Sequence, residues 1–239
     1  RRRRRREPVM KFTHAIIDSD ILVYRIGFAS NEETEETAVR TMAGFLEELL
    51  LFDLPQCKTW SLHLTGKGNF RDDVAITQEY KGNRKNNQRP VHYQALRDYL
   101  CHSWEAVIWN GMEADDAVAI EATELGEKGV IVSLDKDLDQ VPGWHYNFVK
   151  SNLYHISEEQ GLLNFYMQFL TGDTVDNIKG VKGIGPKKAL KLLEGKTESE
   201  MWEVVVEKLG NDRAMENGRL LYMLRSTQDE FKPPMEAVV

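Results

Sequence analysis

The chain has 239 residues, 41% of them hydrophobic, and a formal net charge of −7. That much apolar material supports one large α/β domain, or a domain with a small appendage, and excludes wholesale disorder. An acidic balance argues against a nucleic-acid partner unless the negative charge is gathered where divalent cations sit, and no run approaching 18 apolar residues offers a membrane span.

The chain opens with RRRRRR, and without these six arginines the balance would be six units more negative. No apolar stretch follows them, so they are not a signal peptide. Met10 opens MKFTHAIIDSD like a natural start, and residues 1–9 read as a tag or non-native extension. A functional basic arm is the alternative. Residues 13–20 (THAIIDSD) read as a strand ending in acid, 34–52 as a helix and 59–66 as a second strand. Pro90 opens a helix over 90–103, followed by strand 105–110, helix 113–129 closed by glycine, strand 130–135 and strand 144–149. Strands alternating with helices predict an α/β fold with a mostly parallel central sheet flanked by helices. Ser157 and Gln160 have capping-box spacing, and from there to about residue 227 the pattern is helical, with turns at 171–185, 194–198 and 210–211. A boundary near 151–156 therefore divides an α/β domain (10–155) from a C-terminal helical region (156–239). Cys57 and Cys101 lack the spacing of a disulfide framework or a metal site. They are expected to be packing residues of a soluble protein in a reducing compartment.

Acids recur at predicted strand ends. Asp18 and Asp20 end the first strand, and Glu113, Asp115 and Asp116 open the helix after the third. Asp135, Asp137 and Asp139 follow the fourth strand, and Asp173 and Asp176 lie in a later loop. Singly, each group has a plain explanation: acids in a helix's first turn favour its dipole, and DKDLD suits an Asp-bonded turn. Together they would crowd one edge of a parallel sheet and repel unless cations neutralise them. Oxygen ligands without neighbouring His or Cys suit Mg²⁺ or Mn²⁺, not zinc. Two such ions would clamp a phosphodiester and activate a water. No P-loop, Ser–His–Asp arrangement or matched thiol nucleophile competes.

Positive charge is equally localised. Residues 66–97 hold seven Lys or Arg against three acids, with Tyr80, Lys81, Arg84, Lys85 and Arg89 close together. Basic groups beside an acidic metal centre would grip phosphate; a plain surface loop is the alternative. Residues 179–191 (KGVKGIGPKKALK) contain five lysines and no acid. Their glycines let the backbone approach a phosphate closely, and Pro186 begins a helix whose N-terminus faces it.

IIDSD, FR…YKGNR, EADD, SLDKDLD and GDTVDNIKGVKGIGPKKA, in that order, make the chain resemble the bacteriophage 5′–3′ exonucleases and flap endonucleases, relatives of the nuclease domain of bacterial DNA polymerase I. The likeness covers most of residues 13–195. It implies a 5′-nuclease fold and a two-metal phosphodiesterase with Mg²⁺ (Mn²⁺ as substitute) held by Asp18, Glu113, Asp115, Asp116, Asp135, Asp137, Asp173 and Asp176. It implies that Lys81 and Arg84 engage the scissile phosphate, and that Tyr24 and Arg25 lie in an entry helix where Tyr24 stacks on a base. By the same likeness residues 180–193 form a helix-hairpin-helix element. There Lys182, Gly183, Gly185, Lys187 and Lys188 meet duplex DNA, and the carbonyls of Val181 and Ile184 are candidates to hold K⁺. Tyr80 joins the DNA-binding set. Many relatives carry an Asp just after the second strand where this chain has Gly66, a place for which Asp20 or a water is the candidate substitute. The segment holding Lys81 is short for a full arch.

The resulting expectation is a monomeric, cytoplasmic 5′–3′ exonuclease or flap endonuclease acting on 5′ ends, flaps or nicked duplex DNA. The host cytoplasm is implied if the chain is of phage origin. The rivals are a catalytically weakened protein that only binds branched nucleic acid, and a nuclease acting on RNA or RNA–DNA hybrid.

Overall fold

A computed structural model describes residues 12–84 and 88–234; the basic extension and Lys85 lie outside the described residues. Alternating short apolar runs and helices close into a doubly covered sheet, as the sequence predicts. Strands β1 (His14–Asp18), β2 (Thr59–Asn69), β3 (Val107–Gly111), β4 (Gly129–Val132), β5 (Gly143–Asn147) and β6 (Asn152–Ile156) lie in the order β3-β2-β1-β4-β5-β6. The first five are mutually parallel, and β6 pairs antiparallel with β5. Residues 152–156, read from sequence as a boundary, are therefore this edge strand. NLYHI is too short and mixed for its pairing to be visible without its partner.

Between the strands run α1 (Ser19–Ala29), α2 (Glu35–Glu48), α3 (Phe70–Val74), α4 (Tyr93–Trp104) and α5 (Ala114–Leu125). The first strand was expected to run to Asp20, but α1 already begins at Ser19, so Asp20 sits in a helix's first turn and not at a strand end. Thr34 caps α2 by accepting from the Thr37 amide. Helix α4 starts three residues after Pro90, which occupies the preceding turn. One face of the sheet packs Ile17, Leu62, Leu64, Val130 and Val132 with Leu22, Met42, Leu46 and Leu96. The other packs Ile16 and Ile131 with Val118, Ala119 and Ala122 of α5. Cys57 is buried in the first of these cores and Cys101 packs against it, as expected of structural thiols.

Beyond β6 come α6 (Glu158–Thr171), the short antiparallel pair β7 (Gly172–Asp173) and β8 (Ile178–Lys179), then α7 (Pro186–Leu193), α8 (Glu198–Leu209) and α9 (Asn211–Leu221). Ser157 caps α6 by accepting from the Gln160 amide, while the Gln160 side chain turns to Asn164 and leaves the box half made. Pro186 is the first residue of α7. Helical pattern was expected to run to about residue 227, but the chain is extended from Tyr222. It returns to the sheet: the Met223 amide donates to Gln140 Oε1 (2.9 Å) and the Leu224 amide to Asp116 Oδ1 (3.3 Å). Val74, Ala75 and Tyr80 pack into the helical region's core, so the two regions interlock through side chains on both sides of residue 156. Among the described residues no helix is long and apolar enough to cross a membrane.

Candidate metal centre and nucleic-acid interface

Parallel strands bring their carboxyl ends to one edge, and the strand order reverses between β1 and β4, where such sheets open a crevice. Asp18 ends β1 there and accepts from Ser133 Oγ, just past β4, at 2.9 Å. Glu113 is the N-cap of α5, Asp115 and Asp116 its first turn, and the Glu113 and Asp116 side chains form a reciprocal capping box. Asp135 caps the 3₁₀ turn Lys136–Gln140 by accepting from the Asp137 amide at 2.8 Å. Asp173 closes the 173–177 loop on itself, accepting from the Val175 and Asp176 amides at 2.7 and 3.1 Å. Local backbone chemistry thus fixes Asp135, Asp173 and the Glu113–Asp116 pair, a distant serine holds Asp18, and tertiary folding brings the groups together.

Two groups emerge, Glu113–Asp115–Asp116 and Asp137–Asp173–Asp176, each offering oxygens within 4.8 Å of one another. Asp18, Asp20, Glu113, Asp115, Asp135 and Asp176 line a cleft of about 460 Å³ together with Tyr24, Lys81 and Arg84. Burial and the charges of Asp20 and Asp135 push Asp18 up to about 8. Burial and the neighbouring Asp135 and Asp173 do the same for Asp137. Asp135 and Asp176 are raised by burial and nearby carboxylates, and Asp115 is raised well above the usual range by burial, Glu113 and Asp116. This is the repulsion expected of a crowded anionic site awaiting cations. The oxygen-only donor set fits hard divalent ions.

Glu113 departs from the pattern. Burial alone would raise it, but Lys81 and Arg71 outweigh burial and hold it below the usual range. Lys81 Nζ donates to Glu113 Oε1 and lies 3.7 Å from Asp176 Oδ1. Arg84 Nη2 donates to Asp176 Oδ1 at 2.8 Å. The segment carrying both cations is fastened to the 173–177 loop. The Lys81 amide donates to Asp176 O, Asn83 Nδ2 to Thr174 O, Arg84 Nε to Val175 O and Asn177 Nδ2 to Glu79 O, at 2.8–3.0 Å. Those bonds hold Lys81 at φ 52°, a left-handed conformation that costs a non-glycine residue about 1–2 kcal/mol. Lys81 is therefore seated over the carboxylates.

The expectation for Tyr80 requires correction, and Asp116 and Asp20 are each held by partners. Tyr80 is 6% exposed, and its hydroxyl, with one proton to donate, lies between Glu113 Oε2 (2.8 Å) and Asp176 Oδ2 (2.9 Å), so it braces the acidic cluster and offers no surface to DNA. Asp116 is fully buried, and both its oxygens accept from Arg71, at 2.6 and 2.8 Å. Its carboxylate is paired with a guanidinium here, and it also offers an oxygen within 4.8 Å of those of Glu113 and Asp115, in a group that could hold an ion. Asp20 leans to the end of β2, where the Thr65 amide and Arg97 Nη1 donate to it at 3.1 and 3.4 Å.

Gly66 has a steric cause. A Cβ there would fall 2.2 Å from Asn110 Oδ1 and 2.6 Å from the Trp109 carbonyl. Asn110 Oδ1 meanwhile accepts from the Lys67 amide at 2.8 Å, closing the β2–β3 irregularity. No carboxylate fits at residue 66 in this backbone.

The lysine-rich turn stands apart from the cleft floor. Lys182, Gly183, Gly185, Lys187 and Lys188 are exposed, and Gly183 (φ 80°) takes a conformation suited to glycine. The Val181 carbonyl accepts from the Ile184 amide at 3.1 Å, and Ile184 is buried. Arg25 is exposed beside Tyr24 on α1. Sequence reasoning gave no role to Arg71, though FR was among the quoted motifs. It also missed Lys208 and Arg213, which line a groove of about 720 Å³ with Asp173, Lys179 and Lys182. Arg213 follows no recognisable pattern, and only folding brings α9 to β8, where Arg213 Nη2 donates to Lys179 O at 2.9 Å.

The family described as "5'-3' exonuclease, N-terminal resolvase-like domain" matches residues 13–166. The chain is 31% identical over 199 residues to a 5'-3' exonuclease of Buchnera aphidicola subsp. Schizaphis graminum, spanning 75% of this chain and 69% of that protein. It is 29% identical over 197 residues to the flap endonuclease Xni of Shewanella piezotolerans, spanning 75% of each. It is 30% identical over 211 residues to DNA polymerase I of Bacillus caldotenax, of which it spans only 23% while 77% of this chain is covered. Its fold is similar to that of the bacteriophage T5 flap endonuclease in a pseudo-enzyme–product complex with DNA and metal ions (TM-score 0.61, 20% identity, 89% of this chain and 88% of that one). A second fold likeness is to the catalytic core of Rad2 in complex with DNA substrate (TM-score 0.52, 15% identity, 81% of this chain and 65% of that one).

Proposed function

The chain belongs to the 5′–3′ exonuclease family, and from that membership we propose a divalent-metal-dependent 5′-nuclease that hydrolyses phosphodiester bonds in DNA. The observation that carries this reading is the convergence of Asp18, Glu113, Asp115, Asp135, Asp137, Asp173 and Asp176 on one sheet edge, with five of them pushed above the ordinary carboxylate range. Such a site favours the ionised form only when cations are present. Asp18, Glu113, Asp115 and Asp135 would hold one Mg²⁺ or Mn²⁺, and Asp137, Asp173 and Asp176 a second. Asp116 acts one step removed, by orienting Arg71. When bound, the ions supply charge to the phosphate and lower the pKa of an attacking water.

The chain's own residues do the rest. Lys81 and Arg84, which neutralise Glu113 and Asp176 here, line the cleft where they would reach a bound phosphate and offset charge that develops at the cut bond. Tyr80 sits between Glu113 and Asp176, its hydroxyl within hydrogen-bond reach of both. The exposed lysines of residues 179–191 grip duplex backbone without reading sequence, with K⁺ at the Val181 and Ile184 carbonyls as a further expectation. In this arrangement the α/β part (10–155) cuts and the helical part (156–239) holds the duplex.

The test is digestion of matched 5′-labelled flap, nicked and blunt substrates, and of RNA–DNA hybrid, with Mg²⁺, with Mn²⁺ and with EDTA. Metal-dependent release of short 5′ products is expected from DNA. Binding without cleavage under every divalent metal would replace the nuclease by a branched-DNA binder. Preference for the hybrid would move the substrate to RNA.

A further inference from the structure

Two side-chain amides face each other between the segment that carries Lys81 and the loop that carries Asp173 and Asp176. Gln78 Nε2 donates to the main-chain carbonyl of Asn177 and to its Oδ1, the latter at 3.0 Å. Asn177 Nδ2 donates back to the Glu79 carbonyl at 2.8 Å. The pairing continues in antiparallel order, with the Lys81 amide on the Asp176 carbonyl and Asn83 on the Thr174 carbonyl. Upstream, Glu216 of α9 anchors the same segment by accepting from the Ile76 and Thr77 amides at 2.6 and 2.7 Å. Asn177 has φ 60°, so it and Lys81 (φ 52°) are both left-handed, and asparagine is among the side chains that tolerate this conformation best. Both amides are half-buried and line the groove that holds Asp173.

We propose that Asn177 and Gln78 are positioning residues, a clasp that seats the Lys81 ammonium between the two acidic groups. Lys81 Nζ donates to Glu113 of the first group and lies 3.7 Å from Asp176 of the second, so its place is right only while the two segments keep one register. A lysine stem is flexible and does not choose that place by itself. The clasp lies just before Lys81 in one segment and just after Asp176 in the other, beside the main-chain bond that joins them. Its amides carry no charge, so they set geometry without competing for an ion or a phosphate. Displacing a reacting group by about 1 Å costs on the order of 10²-fold in rate. The proposal rests on the nuclease reading and deepens it: both amides act through Lys81 and need touch neither metal nor DNA.

Single-turnover cleavage of a 5′-labelled flap in Mg²⁺ gives the rate, and fluorescence anisotropy in Ca²⁺ gives the dissociation constant, both with the full chain. Asn177→Gly keeps the left-handed backbone and removes one amide. Gln78→Ala removes the facing amide and leaves the 173–177 loop unaltered. Each should slow cleavage by about 10- to 100-fold while the dissociation constant stays within about 2-fold of the wild type. The double variant should be little slower than either single one, because both remove one interaction. In a Lys81→Ala background Asn177→Gly should slow the residual cleavage by less than about 3-fold, since a seat has no effect once its occupant is gone. A purely structural role would slow both backgrounds alike. Gln78→Ala should melt like the wild type, and it carries the same comparisons if Asn177→Gly melts early. Wild-type rates in both amide variants, or equal slowing with and without Lys81, would overturn the clasp alone. A wild type that cleaves nothing under any divalent metal would remove the nuclease reading itself, and the clasp with it.

Discussion

Arg71 and Asp116 form a fully buried bidentate ion pair, 2.6 and 2.8 Å long, that joins the C-terminal segment to the acidic cluster. The remaining donors of Arg71 reach the Leu220 and Tyr222 carbonyls, each at 2.8 Å, and Glu113 Oε2 at 3.5 Å. One side chain from α3 thus ties the end of α9 to the first turn of α5. The planar fork of arginine suits this task, and lysine would satisfy only part of it. Arg71→Ala leaves Asp116 buried and unpaired, and should cost about 3–5 kcal/mol in urea unfolding, with Arg71→Lys between it and the wild type. A loss below 1 kcal/mol would show that the pair is not the tie described.

The pH dependence of the metal-free protein follows from Asp18 and Asp137, both pushed up to about 8. Their folded pKa lies above the unfolded value, so the folded state binds more protons than the unfolded one. Stability then falls as pH rises from about 4 to about 8. Mg²⁺ or Mn²⁺ should raise the melting midpoint more at pH 8.5 than at pH 5.5, because fewer protons remain to displace. A difference of a few degrees is expected, since about 1 kcal/mol moves a chain of this size by about 2–4 °C. Equal metal-induced shifts at both pH values would contradict the assignment.

Asp135→Asn removes one charge from the cleft without changing shape. Cleavage should fall at least about 10²-fold, the scale on which a preorganised charge acts, while flap binding in Ca²⁺ survives. Retained cutting would exclude Asp135 as a ligand.

Gly66→Asp tests whether the missing carboxylate can be restored. The new Cβ would collide with Asn110 Oδ1 and the Trp109 carbonyl, so the variant should lose about 1–3 kcal/mol of stability to overpacking. Calorimetry should show no additional Mn²⁺ bound. A gain in stoichiometry would mean that β2 and β3 separate readily.

Charge-neutral changes at Lys187 or Lys188 should weaken duplex binding. Each should reduce the slope of log affinity against log salt by about 0.9, the value of one phosphate contact. An unchanged slope would take that lysine off the phosphate path.

The sequence by itself determined the layered architecture, because strands buried on both faces call for short apolar runs such as HAIID and GVIV, and here such runs alternate with helical segments. It also indicated that Asp18, Glu113, Asp115 and Asp135 would meet, since parallel strands share one edge, whereas Asp173 and Asp176 come from a separate loop. Capping followed from local chemistry at Thr34, Ser157 and Pro186. Tertiary structure alone decided which acids stay open and which are held. Asp115 and Asp116 are adjacent and alike in sequence, yet only Asp116 turns to Arg71, 45 residues away. It likewise buried Tyr80, placed Lys81 over Glu113, closed the space at Gly66 and brought Tyr93 against Tyr24. Helix and strand periodicity are local properties of the backbone. The partner of a charge or a ring depends on which distant surfaces the fold presses together, and neighbouring residues carry no record of that.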